Sequence, residues 1–394
     1  MALPLSYHWR NLLVRKTTTL LTVLVIGAVI AVFSWMLGFE GALRSALDMA
    51  SSERVLMVLK NGATSESNSA IPIDQFNRLT QLARVARDAQ SGEPLVSPEM
   101  LVQVSLPRVR DAGQTLANVA VRGVTDKAFA VHQNITRLGS SFSTGAPEVI
   151  VGRTAAQQFA GLDVGNSISL GYGGDRLYRI VGHFTAGGGP MESEIWGYLP
   201  SLMNSYNRSM YSSAGVLLEP DADTDAAIAQ IKGPAIELTA FTERAYWAQQ
   251  SRNIRLYLGI ISALVGAMCI AAIFSIANTM FSMVAGRTRE IAMLRTIGFS
   301  GEKILLGFVI EAVLLSLAGG VLGCAACAAW LALVGNTKDM FGASTFTTMG
   351  FEIRLTPLIV AWALGSVALV GAVGAFVPAL RAARVEVVSA LREP

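Results

Sequence analysis

Cys324-Ala-Ala-Cys327 has the spacing of a thiol redox pair or of half a zinc site. Its neighbours are Ala, Gly and Leu, with no His or acidic residue beside it, so small residues for helix packing is the reading. Asp221 to Asp225 (DADTD) has the carboxylate density of a calcium loop. It lacks the Gly and the terminal Glu of an EF-hand, and a solvated helix start is expected. The histidines His8, His132 and His183 lie far apart, and no Ser/His/Asp or Cys/His set can be assembled. The sequence has no GxxxxGK[ST] phosphate cradle for ATP. No catalytic residue, metal ligand or cofactor site is therefore expected in this chain, and it does not read as an enzyme.

Two polar residues lie inside apolar runs. Glu311 is seven residues past Ile304, about 10 Å along a helix axis. Asn278 lies at a comparable depth in the preceding run. Intramembrane polar groups are functional candidates by default. Hydrogen bonding between helices or to a neighbouring subunit is the reading here, in preference to ion transport. No Lys or Arg lies in another run to complement Glu311, and the repeated broken halves of a carrier are absent.

The most informative stretch is 286–303, GRTREIAMLRTIGFSGEK, a charged amphipathic segment between two long apolar runs. Ile291, Leu294, Arg295 and Gly298 recur at helical spacing, with Met293 and Ile297 beside them. Gly298 can end the helix. A solvated connector has no need of Ile291, Met293, Leu294, Ile297 and Phe299. An apolar ridge offered to a partner explains them, since burying one such side chain contributes roughly 1.5–3 kcal/mol.

The elements that must carry these residues follow from composition. The 394 residues are 52% hydrophobic and 15% charged, with a mean hydropathy of +0.47, which calls for membrane spans. Four runs qualify: Leu20 to Leu37, Leu256 to Val284, Ile304 to Val334 and Leu358 to Leu380. The first exceeds the apolar stretch of a signal peptide and has no small-x-small site after it, so it reads as a retained helix. Residues 5–16 read as a basic amphipathic helix at the inner interface.

Basic residues set the expected topology. Arg10, Arg15 and Lys16, then Arg287, Arg289, Arg295 and Lys303, then Arg381, Arg384 and Arg392 face only Glu290, Glu302, Glu386 and Glu393. Residues 40–253 instead hold 18 Lys and Arg against 21 Asp and Glu, a net −3. Both termini and the 286–303 segment are expected in the cytosol, with the large insert outside. The overall charge of +3 is thus a topological signal and not a nucleic-acid footprint. The expected divisions are 1–19 (cytosolic helix), 20–50 (span and stalk), 51–241 (outer domain) and 242–285 (stalk and span). They continue with 286–303 (cytosolic connector), 304–335 (span), 336–356 (outer loop), 357–380 (span) and 381–394 (tail).

The insert reads as mixed α/β. Residues 72–90 and 153–160 read helical. Arg54 to Lys60, Glu148 to Val151, Ser167 to Leu170 and Leu177 to Val181 read as strands, the last two joined by a Gly171–Asp175 hairpin connection. Gly187-Gly188-Gly189-Pro190 is expected to be a mobile break. Thr242 to Arg255 contains no Gly or Pro, so a helix is expected to run unbroken into the second span.

Several segments together resemble one family. They are Ile276-Ala277-Asn278-Thr279-Met280 through Arg287-Thr288-Arg289-Glu290-Ile291 to Gly298, then Phe308-Val309-Ile310-Glu311-Ala312 with Gly319-Gly320 and Gly323, then Pro378 to Arg384 and Ala390-Leu391-Arg392. They resemble ABC-transporter permeases of the MacB/FtsX/LolC-LolE (type VII, mechanotransmission) class. Val387 or Val388 stands where that family often has Pro. In the insert, Arg122-Gly123-Val124-Thr125, Val151-Gly152-Arg153 and Tyr178 to Gly182 resemble its MacB-like periplasmic core.

The resemblance implies a membrane protein of four transmembrane α-helices, with a large α/β extracytoplasmic domain between helices 1 and 2. It implies that Arg287, Arg289, Glu290, Ile291, Met293, Leu294, Arg295, Ile297, Gly298 and Phe299 form an ATPase-coupling helix. The implied partners are a cytosolic ABC ATPase dimer that binds ATP and Mg, a second permease copy or paralogue, membrane lipid and, in some systems, a periplasmic adaptor protein. With some 19 residues before the first run, the ATPase is expected on a separate chain. The leading expectation is export or extraction of a hydrophobic or periplasmic substrate. The alternatives are an FtsX-like regulator of an outer partner such as a cell-wall hydrolase, and a membrane-anchored binding protein without ATP coupling.

Overall fold

The computed structural model describes residues 16–50, 52–109, 113–250, 252–334 and 353–385. The expected interfacial helix over 5–16, the 336–352 part of the outer loop and the tail beyond 385 lie outside them. The chain divides into two compact units. One comprises Met1–Gly41, Ile254–Gly335 and Ile353–Pro394, the other Ala42–Asn253 and Asn336–Glu352.

In chain order, helix α1 (Lys16–Ala50) leads to β1 (Val55–Lys60), α2 (Ile73–Leu79), β2 (Val96–Pro107), β3 (Leu116–Val124) and α3 (Lys127–Val131). Then come β4 (Thr136–Gly139), β5 (Glu148–Gly152), α4 (Arg153–Gln158), β6 (Ser167–Leu170), β7 (Arg176–Thr185) and β8 (Glu194–Tyr198). They are followed by α5 (Leu199–Ser205), β9 (Ser213–Leu217), α6 (Thr224–Lys232), β10 (Leu238–Thr242) and α7 (Glu243–Gln250). Among the described residues four further helices follow: α8 (Arg252–Ala285), α9 (Thr288–Thr296), α10 (Gly301–Val334) and α11 (Pro357–Ala383).

Among the described residues, four helices are long and apolar enough to cross a membrane, over Thr19–Ala42, Leu258–Ala285, Gly301–Val334 and Pro357–Ala383. Glycines let them approach closely. A methyl group on Gly323 of α10 would collide with the Gly27 carbonyl of α1, and one on Gly319 would meet the Ile26 side chain at 2.8 Å. A Cβ on Gly374 of α11 would lie 2.9 Å from the Ile273 carbonyl and 3.0 Å from the Ile276 side chain of α8. Thr22 and Thr279 hydroxyls pair at 2.7 Å between α1 and α8. Cys324 and Cys327 are buried free thiols in α10, and Cys324 Sγ lies 3.6 Å from Ser34 Oγ of α1.

The other unit is built on a mixed sheet in the order β10-β1-β9-β2-β3-β8-β5-β7-β4, with β6 also on β7. The β3–β8 and β5–β7 pairs are parallel. Strand β2 serves two partners in succession: Val96 to Glu99 pair with β9, and Met100 to Pro107 with β3. Alternation along the strands separates two faces. On one face Leu56, Val58, Val96 and Val216 pack beneath α2 and α6, and Val119, Val121 and Ile195 beneath α4 and α5. On the opposite face lie Met57, Leu59, Val124, Ile150 and Trp196, roofed by Tyr246 and Trp247 of α7.

Two local expectations change. The helix expected over 72–90 stops at Leu79, because Arg84 takes a left-handed φ of 62° and Val85 bridges to Leu218 of the sheet. The Gly187–Pro190 break is a tethered turn: the Glu192 carboxylate accepts the Ala186 and Gly188 N–H groups at 2.9 and 2.8 Å. The stretch expected to be helical over 242–255 is helical in α7 and again in α8, and Ser251 between them lies outside the described residues. Asp223 caps α6, accepting from the N–H groups of Asp225 and Ala226, so the acidic run is the start of a helix.

Candidate functional site

Helix α9 holds most of the residues expected to form a docking face. It ends in a Schellman motif: Gly298 sits at φ +100°, its N–H bonds to the Arg295 carbonyl, and the Phe299 N–H bonds to Leu294. Ile291 does not join the ridge. At 2% exposure it belongs to the helical core with Met283, Ile304 and Ala382. The outward face is Met293, 48% exposed, and Ile297, 77% exposed, flanked by exposed Arg289 and Glu290. Leu294 and Phe299 are half-buried.

Two arginines fasten this helix inside its own unit. Arg295 Nη1 donates to the Ala383 carbonyl at the end of α11, at 2.6 Å. Arg287 Nη1 lies 3.3 Å from both carboxylate oxygens of Glu311, which is 2% exposed. The sequence offered Glu311 no basic partner from another span. The partner comes instead from the turn after α8, because Arg287 is long enough to reach inward from the end of the bundle. Asn278 is exposed on the surface of α8.

The second constellation, in the sheet unit, was not picked from the sequence. Arg122 of β3 is fully buried and uses all five of its N–H donors. It forks onto Glu194 of β8, with Nε to Oε2 at 2.7 Å and Nη2 to Oε1 at 2.9 Å. Nη1 and Nη2 bind Glu66 at 2.5 and 2.9 Å, and Nη1 binds Glu99 of β2 at 2.6 Å. His132, just after α3, bridges Glu99 Oε1 at 2.8 Å and Glu243 Oε1 at 3.3 Å. Ser213 and Trp196 donate to Glu66 and Glu194.

Burial opposes every charge in this cluster, and the partners decide the outcome. The charges of His132 and Arg122 overcome burial at Glu99 and hold its carboxyl down to about 2. Burial disfavours the His132 imidazolium, yet Glu99 and Glu243 push its pKa up to about 10. Arg122 stays charged despite burial because Glu194 and Glu66 face it. Glu194 is raised, first by burial and then by the charge of Glu66. The one sequence signal was a charged residue inside the apolar run Val119-Ala120-Val121-Arg122, which a half-buried strand does not tolerate unpaired.

A family model described as the MacB-like periplasmic core domain matches residues 17–233, and one described as the FtsX-like permease C-terminal matches 262–387. The chain belongs to the MacB/FtsX family of ABC permeases. The macrolide export ATP-binding/permease protein MacB of Photorhabdus laumondii is 26% identical over 415 residues, covering 97% of this chain and 59% of that protein. The MacB of Escherichia coli strain K12 is 32% identical over 144 residues, 36% of this chain and 20% of its own length. The permease thus spans little more than half the length of the first of these relatives. Among solved structures it is similar to the periplasmic region of MacB from Actinobacillus actinomycetemcomitans (10% identity, TM-score 0.36, 53% of this chain and 98% of that one). It is also similar to the extracellular domain of the transporter YknZ from Gram-positive bacteria (14% identity, TM-score 0.33, 45% and 92%). Within this permease the Arg122 cluster falls largely in the first match, and α9 with its two arginine anchors falls in the second.

Proposed function

We propose that this permease couples ATP hydrolysis by an ABC ATPase to a shape change of its α/β domain, driving export or extraction of a hydrophobic or periplasmic substrate across a bacterial cytoplasmic membrane. One observation carries the reading. Helix α9 exposes Met293 and Ile297 while Ile291, Arg287 and Arg295 root it in the helical core. A short helix held that firmly, yet showing two large apolar side chains, is suited to receive a push and pass it on. ATP and Mg bind in the ATPase, and this chain supplies no catalytic group.

The charge asymmetry of the sequence puts α9 and both termini in the cytosol and the sheet unit outside. A second permease copy or paralogue packs along α8. Only 17% of its most apolar stretch is buried within the chain, against 50% for α10, and Asn278 on its surface calls for a hydrogen-bond partner.

The test is ATP turnover by a candidate ABC ATPase from the same organism, reconstituted in lipid with the permease. Co-purification and turnover that Ile297→Asp abolishes support the coupling. An ATPase that neither binds nor responds to the wild-type permease overturns it.

A further inference from the structure

The chain enters and leaves the sheet unit at one place. Strands β1 and β10 are antiparallel neighbours with Leu56 opposite Thr242, so the residues before β1 and those after β10 emerge side by side. Two contacts tie these two stems, and a third joins the second stem to the turn after β1. The Ser52 N–H donates to Glu243 Oε2 at 3.3 Å. Arg244 Nη1 lies 3.4 Å from Glu53 Oε1. Gln250 Nε2 donates at 2.9 Å to the carbonyl of Thr64, which lies just after β1.

Arg244 and Glu53 are exposed, and a pair in water contributes little. Glu243 is different. It is 1% exposed, opens α7 and serves both stems at once. While one oxygen receives Ser52, the other meets His132, which passes the link to Glu99 and so to Arg122. A second route starts one turn later on α7. Tyr246 Oη lies 3.3 Å from the Glu66 N–H and 3.5 Å from its Oε2, and Glu66 is held by Arg122. Arg122 sits on β3 and forks onto β8, strands near the middle of the sheet. Both routes therefore run from the stems to the sheet centre without crossing solvent.

An apolar core would hold this sheet at lower desolvation cost. What charges add is a unique seat: Glu243 and Tyr246 fit only where His132 and Glu66 await them. We propose that Glu243 is a clamp that fastens the chain leaving α1 and the start of α7 to the buried Arg122 cluster, so that both stems and strands β3 and β8 move as one body. The clamp rests on the proposed coupling only for the source of that motion.

Hydrogen exchange on the full chain in lipid nanodiscs tests it, comparing wild type with Glu243→Ala. The expected result is exchange faster by about tenfold or more in 52–60 and in 116–124, segments remote in sequence from the substitution, with 176–185 unchanged. A response confined to 243–250 overturns the clamp. Should Glu243→Ala fail to fold, Tyr246→Phe removes one hydroxyl and must still speed exchange in 116–124; no change there overturns it. A second arm adds the ATPase. ATP should alter exchange in 116–124 and 194–198 of the wild type and not of the variant, and an equal response in both overturns the clamp. A wild type that ignores ATP overturns the coupling instead, and the clamp is then decided by the first comparison.

Discussion

The Arg287 guanidinium meets both carboxylate oxygens of Glu311, joining the turn after α8 to the interior of α10. The pair sits at the root of α9 and gives the buried carboxylate of α10 a cationic partner.

Breaking that pair from one side leaves a buried charge, which costs about 3–5 kcal/mol when uncompensated. Arg287→Ala should therefore lower the thermal midpoint of the detergent-held chain more than Arg287→Ala combined with Glu311→Leu. Equal losses in the single and double variants would show that the pair is not coupled.

Ile291 and Ile297 are six residues apart and predict opposite phenotypes. Ile297→Asp, on the open face, should leave helicity and oligomer size unchanged while removing ATPase stimulation. Ile291→Asp buries a carboxylate in the helical core and should cost the fold itself, read by aggregation on size exclusion.

Arg122→Leu strands Glu66, Glu99 and Glu194 without their cation and should destabilise the sheet unit by about 3–5 kcal/mol. Arg122→Lys should recover only part of this, since an ammonium cannot fork onto Glu194 while reaching Glu66 and Glu99. Urea midpoints read from fluorotryptophan signals of Trp196 and Trp247 measure both.

The same signals should show a pH window. His132 is raised from 6.5 to about 10, so its contribution is full below 6.5 and fades as pH climbs towards 10. Glu99 is lowered from 4.5 to about 2, so its contribution is full above 4.5 and fades as pH falls towards 2. Glu194, raised, works against stability above its ordinary range. Wild type should lose stability on both sides of the interval 4.5–6.5, and His132→Gln should flatten the alkaline limb.

Gly323→Leu should separate α1 from α10, because its first side-chain atom already meets the Gly27 carbonyl. Gly259→Ala, where a Cβ meets nothing within 4 Å, should be neutral. A disulfide between cysteines placed at Ala31 and Ala326 in a background without the native thiols reports the spacing; both positions line one apolar groove.

Much of this architecture was legible along the chain. The four apolar runs match the four long helices within a few residues at most ends. The β6–β7 hairpin and the stop at Gly298 were readable for the same reason: a Gly with positive φ is a local event. Ile291 and Ile297 show the limit. Both are isoleucines on one short amphipathic helix, and only the packing of α10 and α11 against it tells which one faces inward.

The amino-acid order by itself determined the spans, the charge asymmetry of the segments between them and the short amphipathic helix after the second span, since each is a partition between water and apolar surroundings written in consecutive residues. The tertiary structure decided the partners. Arg122 binds carboxylates 56, 23 and 72 positions away, and Glu243 faces His132 across 111. Such pairings depend on which strands become neighbours, and a charge carries no mark in the sequence of the opposite charge it will meet when both leave water.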